Sequence, residues 1–329
     1  MKKFLILLFP SSLCGYHFNL KWNINDGVDW YISIPKGADT DHDELKEIIF
    51  FSESLNVSVI YELNGNEFNL EHIIDPSNHS YFWGVGDYDG DALSDALIQH
   101  WLGYYGQGSY LRVYESPLFY SYPDSAVWGI YLYNINIGEG FYIRSWGDLD
   151  GDDKKDIFVH LYKYFWIFEN IGDNQYELVL FDSLSPPRRW DLPTAGEFDG
   201  DNKTDIVDGG MYGEVSVFEN TGDNQYELVW ETDLPSGNAY DNFSVDDADQ
   251  DGEPEFVIHA YSYAPPCCKQ SVWIFEATGD NTYEVVYLDT IRTPWTNVQG
   301  PISDAGDVDG DGVPELVISG TTEIGRAHV

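Results

Sequence analysis

Basic residues are scarce in this chain. Lys plus Arg number 16 against 57 Asp plus Glu in 329 residues, a formal net charge of −41. A surface with so few cations cannot neutralise phosphates, so neither nucleic acid nor an anionic bilayer is an expected partner. Past the N-terminus no run of 18 apolar residues occurs, so no membrane span is expected. There are two Met and three Cys, and no C-x-x-C spacing of a redox site or zinc knuckle. No amphipathic helical period of useful length appears. The G-x-S-x-G and H-E-x-x-H signatures are missing, as is a phosphate-binding Gly loop leading into a helix. No catalytic residue is assigned, and no organic cofactor.

What remains is rich in 31 Gly, 24 Tyr and 11 Trp, with 43% hydrophobic residues. That composition excludes a disordered acidic chain and favours strands. An 11-residue segment, Glu169–Val179, recurs almost unchanged at Glu219–Val229 and as a variant at Glu276–Val286. Each copy holds Gly-Asp-Asn or its close equivalent between two alternating segments, which predicts a hairpin, because Gly and Asn tolerate left-handed turns. A worn copy covers Tyr61–Phe68.

The second repeated element is an acidic loop that occurs six times. Acids occupy its first position (Asp39, Asp87, Asp148, Glu197, Asp247, Asp307) and its third (Asp41, Asp89, Asp150, Asp199, Asp249, Asp309). They also occupy the fifth (Asp43, Asp91, Asp152, Asp201, Asp251, Asp311) and the ninth (Glu47, Asp95, Asp156, Asp205, Glu255, Glu315). The spacings are 48, 61, 49, 50 and 60 residues, so each unit has room for the loop and about four short strands. Four carboxylates within nine residues repel one another unless a cation sits among them. Alternate acids converge when the backbone curls, and the carbonyl at position 7 (Leu45, Leu93, Lys154, Lys203, Glu253, Val313) adds an oxygen. Six or seven hard oxygens suit Ca²⁺, up to six ions in all; magnesium is second choice, and zinc and copper are disfavoured by the lack of Cys or His. An EF-hand is excluded, since position 12 is apolar in five of six loops and an apolar strand follows directly. Glu197 is one methylene longer than Asp, and Glu44 and Ala92 suit a sharp turn poorly, so the first and fourth loops are expected to bind more weakly.

The acidic loop followed by an Asp-(Ile/Leu/Phe)-(Val/Phe) strand resembles the FG-GAP/VCBS repeats of the integrin-α-like β-propeller, over about Gly37–Gly320. The resemblance implies an all-β propeller of such blades. Six repeat units are visible here, which implies truncation from seven or more. It also implies a calcium-binding module for adhesion or recognition of an extracellular glycan or protein. The alternatives are a calcium-dependent polysaccharide lyase and a structural spacer in a larger surface protein.

The ends read differently. Lys2 and Lys3 before the apolar run Phe4–Phe9 predict a secretory signal over residues 1–15, hence a secreted or surface-displayed protein with no membrane insertion after cleavage. Residues 16–322 form the repeat domain. Residues 323–329 resemble the translation of a sequencing adaptor and are read as a non-native tail. In an oxidising compartment Cys267 and Cys268 can close a vicinal disulfide; free thiols and pairing with another chain are the alternatives. His160 and His259 hold equivalent places after their loops, either as a shared site or as polar strand ends. Two segments break the period, Trp101–Tyr133 and Tyr261–Lys269. The first carries Tyr104, Tyr105, Tyr110, Phe119, Tyr120, Tyr122, Trp128, Tyr131 and Tyr133. Such aromatics stack on sugars, anchor a protein partner or fill the space between blades. Arg112, Arg144, Arg188, Arg189 and Arg292 are the cations an enzyme would use.

Overall fold

A computed structural model describes residues 3–8, 19–20, 31–33, 39–52, 57–65, 67–74, 80–101, 109–132, 142–161, 164–183, 193–210, 212–235, 238–247, 251–262, 269–292, 303–306 and 315–320. Among them there is no helix, and every sheet is four-stranded and antiparallel. Strands β1 (Lys3–Leu8) and β2 (Asn19–Leu20) come first. Blade 1 is β3 (Tyr31–Ser33), β4 (Glu47–Ser52), β5 (Val57–Asn64) and β6 (Glu67–Ile74). Blade 2 is β7 (Ser80–Gly86), β8 (Asp95–Trp101), β9 (Ser109–Glu115) and β10 (Ser125–Leu132). Blade 3 is β11 (Tyr142–Trp146), β12 (Asp156–Leu161), β13 (Tyr164–Gly172) and β14 (Gln175–Ser183). Blade 4 is β15 (Thr194–Gly196), β16 (Asp205–Gly209), β17 (Glu214–Gly222) and β18 (Gln225–Asp233). Blade 5 is β19 (Asn238–Asp246), β20 (Glu255–Ser262), β21 (Lys269–Gly279) and β22 (Thr282–Arg292). Last come β23 (Ser303–Gly306) and β24 (Glu315–Gly320), which join β1 and β2 in the order β2-β1-β24-β23.

The first strands of the sheets meet around an axis. Strand β3 lies against β7, β7 against β11, β15 against β19, β19 against β23, and β23 against β3. Sheets radiating from such a ring make a β-propeller. The sequence count of six units is corrected to five self-contained blades, because the sixth unit supplies only β23 and β24 to a sheet shared with the N-terminal strands. Residues 3–8, read from sequence as part of an export signal, pair along β24 from Lys3↔Gly320 to Leu8↔Glu315. The disulfide expected at Cys267–Cys268, the tail at 323–329 and the loop residues Asp249 and Asp307–Val313 lie outside the described residues.

The core is stored between blades. The second strand of each blade is buried on both faces, as in Asp205–Gly209 where all five residues are buried. Ile49 and Ile60 of blade 1 meet Phe82 and Ile98 of blade 2. Leu97 and Val113 then meet Ile157 and Val159 of blade 3. Phe158 and Ile167 meet Ile206 of blade 4, and Val207 and Val217 meet Phe256 and Ile258 of blade 5. Each blade therefore depends on its neighbours for burial. All five blades share a register shift between the third and fourth strands, at Ile60/Tyr61, Ala126/Trp128, Ile167/Phe168, Val217/Phe218 and Ile274/Phe275. One extra residue there bends the outer hairpin.

Candidate metal centres

In each of the five blades the acidic loop lies between the first strand and the second, and the sixth acidic segment falls between β23 and β24 in the chain. The equivalence follows from the local chemistry, clearest in the four fully described loops. The acid at position 1 acts as a hub for amides. Asp39 accepts from Asp43 (2.9 Å) and Glu44 (3.1 Å). Asp87 accepts from Gly90 (2.7 Å) and Ala92 (3.1 Å), and Asp148 from Gly151 (2.6 Å) and Asp153 (2.7 Å). Glu197, despite its extra methylene, takes the amides of Asp199, Gly200 and Asp201 on one oxygen. In loop 5, Asp247 takes those of Asp251 and Gly252. The acid at position 5 accepts the amide at position 7, as Asp152 does from Lys154 at 2.9 Å.

Positions 4 and 6 turn left-handed. Gly151 and Asp153 have φ of 85° and 70°, Gly200 and Asn202 of 84° and 66°. In loop 1 the same places hold His42 (φ 61°) and Glu44 (φ 74°), neither a residue at ease there.

Position 9 is the first residue of the second strand and is buried: Glu47 and Asp95 are 1% exposed, Asp156 2%, Asp205 1% and Glu255 0%. In loops 1 to 4 one carboxylate oxygen accepts the amide at position 2, from Thr40 (2.6 Å), Tyr88 (2.7 Å), Leu149 (2.8 Å) and Phe198 (3.2 Å). The other oxygen, Oε1 of Glu47 and Oδ1 of Asp95, Asp156 and Asp205, is buried with no hydrogen-bond partner. A buried acceptor left without a donor is costly. Four such oxygens stand in equivalent places, each beside the other acids of its loop. Oxygens of Asp39, Asp41, Asp43 and Glu47 come within 4.8 Å of one another, as do those of Asp87, Asp89 and Asp95, and of Asp148, Asp150 and Asp156. The donor set fits a hard divalent cation: carboxylates, with one oxygen of the ninth residue uncommitted in loops 1 to 4.

Burial drives the ninth-position acids far from their ordinary range. It pushes Glu47 and Asp95 up to about 8, against a lowering contribution from the amides they accept. Asp156 and Asp205 rise to about 7 from the same cause. A raised carboxylate favours the folded state while it is protonated, and that contribution is lost as pH climbs from about 4 to about 8. Metal-free protein should therefore melt at a higher temperature at pH 5.5 than at pH 8. Calcium competes with those protons, so its stabilising effect should shrink on acidification. Scanning calorimetry of metal-stripped protein at both pH values checks this; a melting temperature that falls on acidification would contradict it.

The repeated hairpin does more than turn the chain. Its Asn174, Asn224 and Asn281 sit at φ 54°, 53° and 55°. Each donates its amide to the third-position acid of the preceding blade: Asn174 to Asp89 (2.7 Å), Asn224 to Asp150 (2.7 Å), Asn281 to Asp199 (2.6 Å). Their side-chain Nδ2 groups reach Glu115 (2.9 Å), Glu169 (3.4 Å) and Glu219 (3.0 Å). The hairpin of one blade thus latches onto the acidic loop of the one before. The sequence reading missed these glutamates and the latch, though the verbatim recurrence of the segment was the available signal.

Other candidates resolve case by case. His160 and His259 do not share a site. His160 lies buried beside Asp208 of blade 4, with Nδ1 to Oδ1 at 4.0 Å, and His259 is buried in blade 5. The segment Trp101–Tyr133 is no simple insertion, since it contains β9 and β10. Trp128 packs on Phe168 and Tyr176 between blades, and Tyr122 stacks on His72. Phe119 and Tyr120 are 49% and 69% exposed, on a turn where Phe119 stacks on His42 of loop 1 at 4.2 Å. Arg112 sits over the Tyr110 ring at 5.5 Å.

A family model described as FG-GAP-like repeat matches residues 197–258, which run from loop 4 through β16, β17 and β18 into blade 5. No curated protein matches the chain. Among solved structures, the periplasmic gluconolactonase PpgL of Pseudomonas aeruginosa is similar with a TM-score of 0.47 and 11% identity, over 76% of this chain and 68% of that one.

Proposed function

This chain is a β-propeller with FG-GAP repeats, and on that premise we propose that it is a secreted or surface-displayed calcium-binding module that recognises an extracellular glycan or protein. The observation that carries the calcium reading is the repeated, buried ninth-position oxygen that lacks a donor, beside the convergent acids of its loop. When bound, the ion supplies positive charge and no reacting group. Asp148, Asp150, Asp152 and Asp156 would hold it in blade 3, and the equivalent acids in the other loops.

The recognition part is supported by the turn between β9 and β10. Leu118, Phe119 and Tyr120 are 70%, 49% and 69% exposed. Tyr120 holds φ at 65°, and Ser121 fixes the turn by bonding both the amide and the carbonyl of Leu118. A rigid turn that displays three large apolar side chains is suited to contact. It stands beside loop 1 through Phe119 on His42. The lyase alternative needs cations converging with acids, and Arg112, the one such candidate whose side chain is described, is engaged with Tyr110.

Retention on an immobilised panel of glycans and extracellular proteins tests the reading. The wild-type chain should be held in calcium and released by chelator. Leu118→Ser/Tyr120→Ser should lose most retention, about 10-fold or more, on the scale of a hot-spot anchor. No retention by any member of the panel, or release of unsaturated sugar ends from a polysaccharide, would overturn it.

A further inference from the structure

We propose that His42 is the positioning residue through which calcium in loop 1 controls the display of the Leu118–Tyr120 turn. The inference rests on the reading above and gives its contact turn a regulator.

His42 stands where its sister loops use glycine. Position 4 is Gly90, Gly151 and Gly200 in loops 2 to 4, at φ 83°, 85° and 84°, and His42 in loop 1, at φ 61°. A side chain in the left-handed region carries a cost that glycine avoids. The imidazole finds its compensation in blade 2. It lies flat on Phe119, with ring centroids 4.2 Å apart and planes 4° from parallel. Its Nε2 stands 3.4 Å from Ser94 Oγ, at the end of loop 2. The backbone of loop 1 is thereby coupled to the tip of the turn between β9 and β10.

That turn lacks the attachment used by the other hairpins. In blades 3, 4 and 5 an asparagine amide bonds the third-position acid of the loop before. Residues 116–124 contain no asparagine. Rings take its place: Phe119 on His42, and Tyr122, which stacks on His72 at 4.8 Å and sets its hydroxyl against Glu62. The contact with His42 falls inside the metal loop itself, between the expected ligands Asp41 and Asp43. Oxygens of Asp39, Asp41, Asp43 and Glu47 lie within 4.8 Å of one another, and Asp41 Oδ1 and Glu47 Oε1 are buried with no hydrogen-bond partner. A cation among them holds Asp41 and Asp43 together and so fixes the residue between. Without one the four carboxylates repel, the loop loosens, and the imidazole loses its aim at Phe119. Leu118, Phe119 and Tyr120 are then preorganised for contact only in the loaded protein. Linkage makes the coupling reciprocal: the stack strengthens calcium binding at loop 1 by the same factor. One aromatic stack corresponds to about 2- to 10-fold.

The full chain is titrated with calcium and read in two ways, with no glycan or protein partner added. Hydroxyl-radical footprinting reads the exposure of Phe119, and hydrogen exchange reads the loop peptide 39–47. In the wild type, calcium should slow Phe119 oxidation and protect 39–47 over the same concentration range. In His42→Gly, which gives loop 1 the residue of its sister loops, calcium should still protect 39–47 but leave Phe119 oxidation unchanged. Phe119→Ala should raise the calcium concentration that half-protects 39–47 by about 2- to 10-fold. Tyr212→Ala, at an aromatic 77% exposed on blade 4, should leave it where it is. Equal slowing of Phe119 oxidation in wild type and His42→Gly overturns the proposal, as does no slowing in the wild type or an equal rise in both alanine variants. Absence of protection at 39–47 overturns the calcium reading of loop 1 and the coupling with it. Failure of the turn to retain any member of the glycan and protein panel is a separate result, since neither measurement here uses a ligand of the turn.

Discussion

Stripping calcium from this protein should lower its melting temperature by roughly 20 °C or more. An ion that binds only the folded loops adds about 2.7 kcal/mol at a free concentration 100-fold above its dissociation constant. The four fully described loops would then contribute roughly 11 kcal/mol, comparable with the whole stability of a typical domain. At about 2–4 °C per kcal/mol for chains of a few hundred residues, the shift is tens of degrees. Three structural facts make the loss global. The ninth-position acids are buried at the root of the second strand, away from the water that would solvate them without an ion. The third-position acids hold the hairpin of the next blade. Blade cores are built from pairs of neighbours, so a loosened loop weakens two interfaces. Millimolar Ca²⁺ should restore the transition, and Mg²⁺ should restore it less. An identical melting curve in excess chelator, with no calcium by elemental analysis, would mean that the loops are solvated turns.

The sequence made the loops legible because their chemistry is local. Nine residues carry the acids, the turn residues and the first residue of the strand, so spacing alone separates them from an EF-hand. The hairpins were legible for the same reason, at Asp173-Asn174 and its repeats. What stayed hidden depends on partners far apart in sequence. That Asn174 reaches Asp89, 85 residues away, follows only from the angle between blades. The pairing of β1 with β24 joins the two ends of the chain, and no periodicity could disclose it. The segment Trp101–Tyr133 misled for a related reason. Its strands β9 and β10 are ordinary for a blade, but nine residues, 116–124, replace the short Gly-Asp-Asn turn, so the repeat was unrecognisable. The position-7 lysines were counted only as carbonyl donors, although Lys154 and Lys203 also carry an ammonium to the blade border.

Replacing Asp156 by Asn should stabilise the metal-free protein, and calcium should take much of that gain away. Asp156 is 2% exposed, its Oδ2 accepts the Leu149 amide at 2.8 Å, and its Oδ1 has no donor. In metal-free protein at pH 8 the carboxylate is ionised against its burial, which holds it up at about 7. An asparagine keeps an oxygen for the Leu149 amide, removes the buried charge and turns an NH₂ group toward Asp148 and Asp150. Each unit of pKa shift corresponds to about 1.4 kcal/mol, so metal-free Asp156→Asn should be the more stable by a few kcal/mol. In saturating calcium the loop loses a charged ligand. The variant should then bind one ion fewer and forgo about 2.7 kcal/mol of the stabilisation measured under the conditions above. Adding calcium should therefore cut the variant's lead over wild type by about 2.7 kcal/mol, while the exposed substitution Glu227→Gln moves neither curve. Paired thermal melts at pH 8 decide the matter. If Asp156→Asn is destabilised equally in both buffers, the carboxylate is only a hydrogen-bond acceptor for the loop, and the ninth position is not a metal ligand.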